Sequence, residues 1–184
     1  LGGHPIYFAP DEVGLGKREP VADVARVLER QVDCVMARTF LHATLEELAL
    51  HASVPIVNAL SDGEHPCQAL ADLLTIHEHR DGLEGSSVTF VGDGNNTASS
   101  LALACASVGA SFTLASPPDY RVPGIIWEEA ERRASLNGSK MRWVEEPDAA
   151  VRDADVVYTD VWVSMGQEDD TDRRLKAFSA YQVN

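Results

Sequence analysis

Lysine is scarce in this chain: Lys17, Lys140 and Lys176 are the only three. All basic residues together number 15 against 29 acidic ones, for a net charge of −14. Such a surface repels phosphate, which argues against nucleic acid or an anionic membrane face as partner. A Lys-poor acidic surface suits a salt-rich cytoplasm, and an Arg-favouring, GC-rich genome gives the same composition. Cysteine is also sparse. Cys34, Cys67 and Cys105 are odd in number and far apart, with no CxxC pair, so they read as reduced thiols of a cytoplasmic protein, with neither a disulfide frame nor a zinc site. No apolar run reaches membrane-spanning length, and no signal-peptide pattern opens the sequence. Low-complexity segments and short repeats are missing too. What remains is 184 residues, 45% apolar, enough for one domain or two small ones with a real core.

The chain alternates between strand and helix patterns. Pro5-Ile6-Tyr7-Phe8 reads as a short strand, followed by a loop carrying Gly14 and Gly16. Pro20 opens a helix to Arg30, and Asp33 to Ala37 is a buried strand ending at Arg38. Thr44-Leu45-Glu46-Glu47 is a capping-box start for a helix to Ala52, and Pro55-Ile56-Val57 is a strand ending at Asn58. A helix from Pro66 to about Arg80 follows, with Leu70, Leu73, Leu74 and His77 as its buried face. A second series then runs through strands at 87–91, 112–115, 141–144 and 155–159. Its helices fall at 97–108, 123–136 and 147–152. Short apolar strands separated by helices predict parallel sheets covered on both faces. The expected architecture is α/β, two doubly wound parallel-sheet domains at 1–82 and 83–184, joined by the linking helix 66–80.

Ligands of open α/β sheets bind beyond the carboxyl ends of the strands. Those ends carry Arg38, Asn58, Gly92-Asp93-Gly94 and Asp160. Each alone has an ordinary explanation: a surface arginine, a turn, a cap. Before the linking helix stands His65-Pro66-Cys67-Gln68. Pro66 suits the first helical position, where a missing N–H costs nothing. The helix start attracts an anion. His65 and Gln68 could there polarise a carbonyl and hold an amide nitrogen, although the four residues taken alone read first as a His-Pro turn with an exposed Gln.

Gly92-Asp93-Gly94, between a strand and a helix, partly matches the dinucleotide fingerprint. Thr97 stands at its third glycine position, however, and Ser116 with two prolines follows the next strand where an acid would bind ribose. That speaks against a nicotinamide site. Asn95-Asn96 offers carboxamides for a small zwitterion, and a helix cap competes as the role of Asn95. Asp160-Val161-Trp162-Val163-Ser164-Met165-Gly166 sets a strand-end carboxylate four residues before Ser-Met-Gly. The carboxylate can accept an ammonium group, and the serine with its backbone N–H groups can bind a carboxylate.

Together these strings, with Met36-Ala37-Arg38-Thr39, Leu70-Ala71-Asp72-Leu73-Leu74 and Gln167-Glu168, resemble ornithine carbamoyltransferase in the same order along essentially the whole chain. His-Pro-x-Gln marks the wider carbamoyltransferase group, and Ser-Met-Gly points to ornithine as the acceptor. The resemblance implies that Arg38, His65 and Gln68 bind carbamoyl phosphate. Arg38 and His65 would polarise its carbonyl while Gln68 holds its amino group. Asn96 and the Met165 backbone would take the ornithine carboxylate, with Asp160 and Ser164 on its α-amino group. Arg38, His65, Gln68 and Asp160 would thus carry catalysis and yield citrulline within arginine metabolism, with no metal or organic cofactor. A homotrimer or an assembly of trimers in the cytoplasm is implied too.

Alternatives are a sibling carbamoyltransferase using another amine, or a non-catalytic carbamoyltransferase-like subunit. The family's Ser-Thr-Arg-Thr-Arg and His-Cys-Leu-Pro strings are not among these 184 residues, so the chain is expected to be an internal portion, incomplete in both domains and inactive by itself. It also departs from many relatives at Gly14, Gly63-Glu64 and Ser99.

Overall fold

The computed structural model describes residues 2–164 and 166–184, the side chain of Asp11 aside. Its chain contacts divide it into two units, residues 1–62 and 63–184.

In the first unit a single turn, α1 (Pro10–Val13), precedes α2 (Val21–Leu28), β1 (Val35–Arg38), α3 (His42–His51) and β2 (Ile56–Leu60). β1 and β2 pair in parallel, with a register shift between Ala37 and Arg38. Helices α2 and α3 share a small core of Val21, Ala25, Leu45 and Leu48, backed by Ala37 and Ile56 from the strands. The expected strand at 5–8 does not form. A strand needs a lateral partner; among the described residues none pairs with this segment, and Ile6, Tyr7 and Phe8 are exposed. The segment around β1 is also less buried than expected, since Cys34 and Met36 face outward. Helix α3 begins two residues before the predicted capping box. Its first N–H, on His42, is satisfied instead by the Asp62 carboxylate at 2.7 Å.

The second unit contains α4 (Pro66–Arg80), β3 (Ser87–Val91), α5 (Asn96–Ser107), β4 (Ser111–Ala115), α6 (Gly124–Ser135), β5 (Met141–Val144), α7 (Pro147–Val151), β6 (Val156–Thr159) and α8 (Thr171–Ala177). Its sheet has the order β5-β4-β3-β6, all parallel. Successive side chains of a strand face opposite sides, and the two cores follow that rule. Val88 and Phe90 of β3 and Phe112 and Leu114 of β4 join α4, α5 and α6 on one face. Val91 and Ala115 join Ala150, Phe178 and Tyr181 on the other. Burying an aromatic of this kind stabilises by roughly 1.5–3 kcal/mol.

Helix α4 packs on α5 within this unit. The sequence places α4 at the end of 1–82 as the linking helix; by its contacts it groups with residues 63–184. Of the predicted stripe only Leu73 is buried, together with Ala69 and Ile76, and Leu70, Leu74 and His77 are exposed. Leu73 and Ile76 join the α5 residues Ala98, Ala102 and Ala106 in one core. Helix α8 was not predicted at all. Its buried residue is Arg174, so it has no apolar period to detect.

Candidate functional site

From β3 the chain winds through α5, β4, α6 and β5 to one side, then α7 carries it back to β6 on the other side of β3. The direction of winding reverses between β3 and β6, and the carboxyl ends flanking such a reversal form the binding crevice of open α/β sheets. The two loops that leave those ends are Gly92–Asn95 and the segment beginning at Asp160. Both were singled out in the sequence.

They are joined by side chains. Asn95 Nδ2 donates to Asp160 Oδ2 at 3.1 Å, and Asn95 Oδ1 caps α5 by accepting the Ala98 N–H at 3.1 Å. The cap role therefore belongs to Asn95, which uses its other end to orient Asp160. The second Asp160 oxygen accepts the Val161 N–H at 2.7 Å. Asn96 opens α5, and its Oδ1 accepts the Thr97 N–H at 3.0 Å. Ser164 is half-buried, its N–H held by Gln167 Oε1 at 3.1 Å, and Met165 lies outside the described residues. A cleft of about 350 Å³ opens beside Asp160, lined also by Trp162 and Gln182.

Gly94 is glycine because of its neighbours in the chain. A Cβ there would sit 2.2 Å from the Val122 nitrogen, and the Gly94 N–H donates to the Tyr120 carbonyl at 2.8 Å. The close approach is to protein backbone, which accounts for a glycine in this turn without a dinucleotide. Next to it the carboxylate of Asp93 pairs with Arg174 from α8, both almost fully buried. Arg174 Nε donates to the Trp162 carbonyl, so one guanidinium ties the β3 turn to the β6 loop. Burial raises the Asp93 pKa, Arg174 pulls it down, and Asp160 adds a smaller upward push. The Asp93 carboxyl was visible in the sequence, but nothing marked Arg174 as its partner.

His65 is the N-cap residue of α4 and Pro66 its first residue. The His65 N–H donates to Ser100 Oγ at 2.8 Å, and that hydroxyl donates to Glu64 at 3.4 Å. Glu64 therefore takes part in holding the turn. One helical turn on, Gln68 Nε2 donates to Asp72 Oδ1 at 2.9 Å. Burial and then the charge of Asp72 raise the pKa of Tyr158, whose phenol faces Asp72 and Gln68 from β6. Asp72 and Tyr158 were missed as site neighbours, although the i,i+4 spacing of Gln68 and Asp72 was a readable signal.

In the first unit Arg38 ends β1 with an exposed side chain, opposite Leu60. Asn58 of β2 donates to the fully buried Ser61 hydroxyl at 3.2 Å, and His42 Nδ1 lies 2.8 Å from the same oxygen. No cluster of three or more potential metal ligands occurs among the described residues, and no helix is long and apolar enough to cross a membrane.

Two parallel α/β units, one with polar groups converging at a switch point and a His-Pro-x-Gln helix start, define a protein of the open α/β class with a polar crevice at the strand ends. The chain belongs to the aspartate/ornithine carbamoyltransferase family: the family model of the Asp/Orn-binding domain matches residues 84–184, and that of the carbamoyl-P-binding domain matches residues 1–78. Among curated relatives, the ornithine carbamoyltransferase of Methanopyrus kandleri is 51% identical over 184 residues and that of Listeria monocytogenes serotype 4b is 50% identical over 185. Each match covers 100% of this chain but only 59% and 58% of the relative. The solved ornithine carbamoyltransferase of Pyrococcus furiosus superposes with a TM-score of 0.96 at 46% identity, covering 100% of this chain and 59% of that one. That of Thermus thermophilus gives 0.85 at 43% identity, with 100% and 58% coverage.

Proposed function

We propose that the protein containing this chain transfers the carbamoyl group of carbamoyl phosphate to the δ-amine of L-ornithine, giving L-citrulline and phosphate. The observation that carries this reading is the switch-point pairing of Asp160 with the Asn95-Asn96 turn, in a family whose relatives at about half identity are named for that reaction. An α-amino acid presents one ammonium and one carboxylate on one carbon. Asp160 and Ser164 take the ammonium; Asn96 and the Met165 backbone take the carboxylate. Arg38 and His65 draw electron density onto the carbamoyl oxygen, and Gln68 accepts from the amide nitrogen. The neutral δ-amine attacks the carbonyl carbon, a C–N bond forms, the C–O bond to phosphate breaks, and the amine proton departs. Polarisation of that oxygen matters most as negative charge develops on it, so these contacts act on the transition state. In the same reading the subunits assemble as a homotrimer, or as an assembly of trimers, in the cytoplasm.

The test is formation of the carbamoylated amine by the full-length protein, citrulline from ornithine against N-carbamoylputrescine from putrescine, which lacks the α-carboxylate. Putrescine leaves buried donors unpaired at roughly 1–3 kcal/mol each, and a site built for the carboxylate rejects it strongly. A preference for ornithine on the order of 100-fold or more is expected in kcat/KM; equal use of both amines overturns the acceptor assignment.

A further inference from the structure

A primary amide presents two different faces, a carbonyl acceptor and an NH₂ donor, and a swap of the two is sterically silent. Gln68 must show the correct face to a ligand for its role to hold. Asp72 lies one turn further along α4, with Oδ1 2.9 Å from Gln68 Nε2. A carboxylate only accepts hydrogen bonds. Turning the amide over would set two acceptor oxygens against each other at that distance. The other carboxylate oxygen of Asp72 is buried too, on the side that faces the Tyr158 phenol, so the group does not turn out to solvent. Tyr158 adds a third wall from β6, and its phenol, with the pKa raised by burial and by Asp72, stays protonated.

We infer that Asp72 is a positioning residue that fixes the Gln68 side chain with its carbonyl oxygen outward, so that position 68 selects ligands carrying an N–H donor. This rests on the proposed binding of carbamoyl phosphate and goes beyond it, because it names what makes Gln68 discriminate. Acetyl phosphate is the matched probe: a methyl group replaces the NH₂ while carbonyl and phosphate are kept. The ratio of the two dissociation constants reads the Gln68 contact alone, and acetyl phosphate affinity serves as an internal check on the fold.

The experiment is calorimetric titration of carbamoyl phosphate and of acetyl phosphate into the full-length protein and four variants. Wild type is expected to favour carbamoyl phosphate by about 10-fold, or about 1.4 kcal/mol. Gln68→Leu should abolish the preference. Asp72→Leu should bring it to within about twofold of unity while leaving acetyl phosphate affinity near wild type. Asp72→Asn should lose much of it, because the Asn amide can turn and donate to a flipped Gln68 carbonyl, which a carboxylate cannot do. The double variant Gln68→Leu/Asp72→Leu should lose nothing beyond Gln68→Leu. Where Asp72→Leu yields no folded protein, Asp72→Ser carries the same comparison, its side chain being too short to reach Gln68.

A full preference in Asp72→Leu overturns the inference. So does an Asp72→Asn protein as selective as wild type, since the acceptor-only carboxylate would then not be what fixes the amide. A wild type that binds neither phosphate, or both equally, instead overturns the proposed carbamoyl phosphate site itself.

Discussion

Replacing Arg174 by methionine removes the cation that holds Asp93 and keeps most of the stem volume. Asp93 and Arg174 are 7% and 6% exposed, so the carboxylate left behind cannot recruit much water. The Trp162 carbonyl loses its donor in the same step. Breaking one side of a buried pair costs about 3–5 kcal/mol, because an uncompensated charge remains inside. The assay is urea unfolding followed by tryptophan fluorescence. Trp127, Trp143 and Trp162 all lie in residues 63–184, so the signal reports that unit alone.

The pH dependence has a defined sign. A carboxyl whose folded pKa is raised above its ordinary 3.8 makes folding less favourable as pH rises through the window from 3.8 to the folded value. Losing Arg174 removes the main downward pull and widens that window. The deficit of Arg174→Met should therefore be largest near neutral pH and shrink toward pH 4. Adding Asp93→Asn should recover part of it, since contacting sites couple. A variant within about 0.5 kcal/mol of wild type, the usual range for surface changes, would show that the pair does not brace the two loops.

Burial raises the Cys105 thiol to about 12, and the thiolate is the reactive form. A disulfide reagent at pH 8 should modify exposed Cys34 quickly and reach Cys105 only after unfolding; labelling of Cys105 in the folded chain would contradict its burial. Hydrogen bonds from Arg132 and then Arg133 lower the Glu129 carboxyl from its ordinary 4.5 to about 2. A lowered carboxyl contributes stability that is complete above about 4.5 and lost as pH falls through about 2. Carbon-detected titration of Glu129 should find that low value, with Arg132→Gln plus Arg133→Gln returning it toward 4.5. A titration near 4.5 in both proteins would remove these ion pairs from the account.

The strands of the second unit were readable because β3 and β4 are buried on both faces and appear as short runs of Val, Phe and Leu. The switch point follows from the order of those strands, and both of its loops were marked by polar residues directly after an apolar run. Unit one was harder to read. Ile6-Tyr7-Phe8 has the composition of a strand, yet pairing with a neighbour decides whether a strand exists, and composition does not carry that. On α4 Leu73 was legible as a buried residue, but Ala69 and Ile76 complete the buried face in place of Leu70 and Leu74, which stay outside. Arg174 illustrates the deepest gap. A buried arginine is invisible to hydrophobic periodicity, and its partner Asp93 lies 81 positions away. Residue type alone did flag Gln68, but only the geometry around Asp72 says which way its amide points.

The central claim is that Asp160 and the Asn95-Asn96 turn read the α-amino acid acceptor. Norvaline has the ornithine backbone without the δ-amine, so it can bind but not react. Its titration into the full-length protein already saturated with carbamoyl phosphate measures that recognition alone. A hydrogen bond to a charged group contributes about 1.5–3 kcal/mol, so Asp160→Asn should weaken norvaline by roughly 10- to 150-fold. Carbamoyl phosphate affinity should stay within about twofold. Norvaline failing to bind wild type, or binding Asp160→Asn equally well, would contradict the acceptor site.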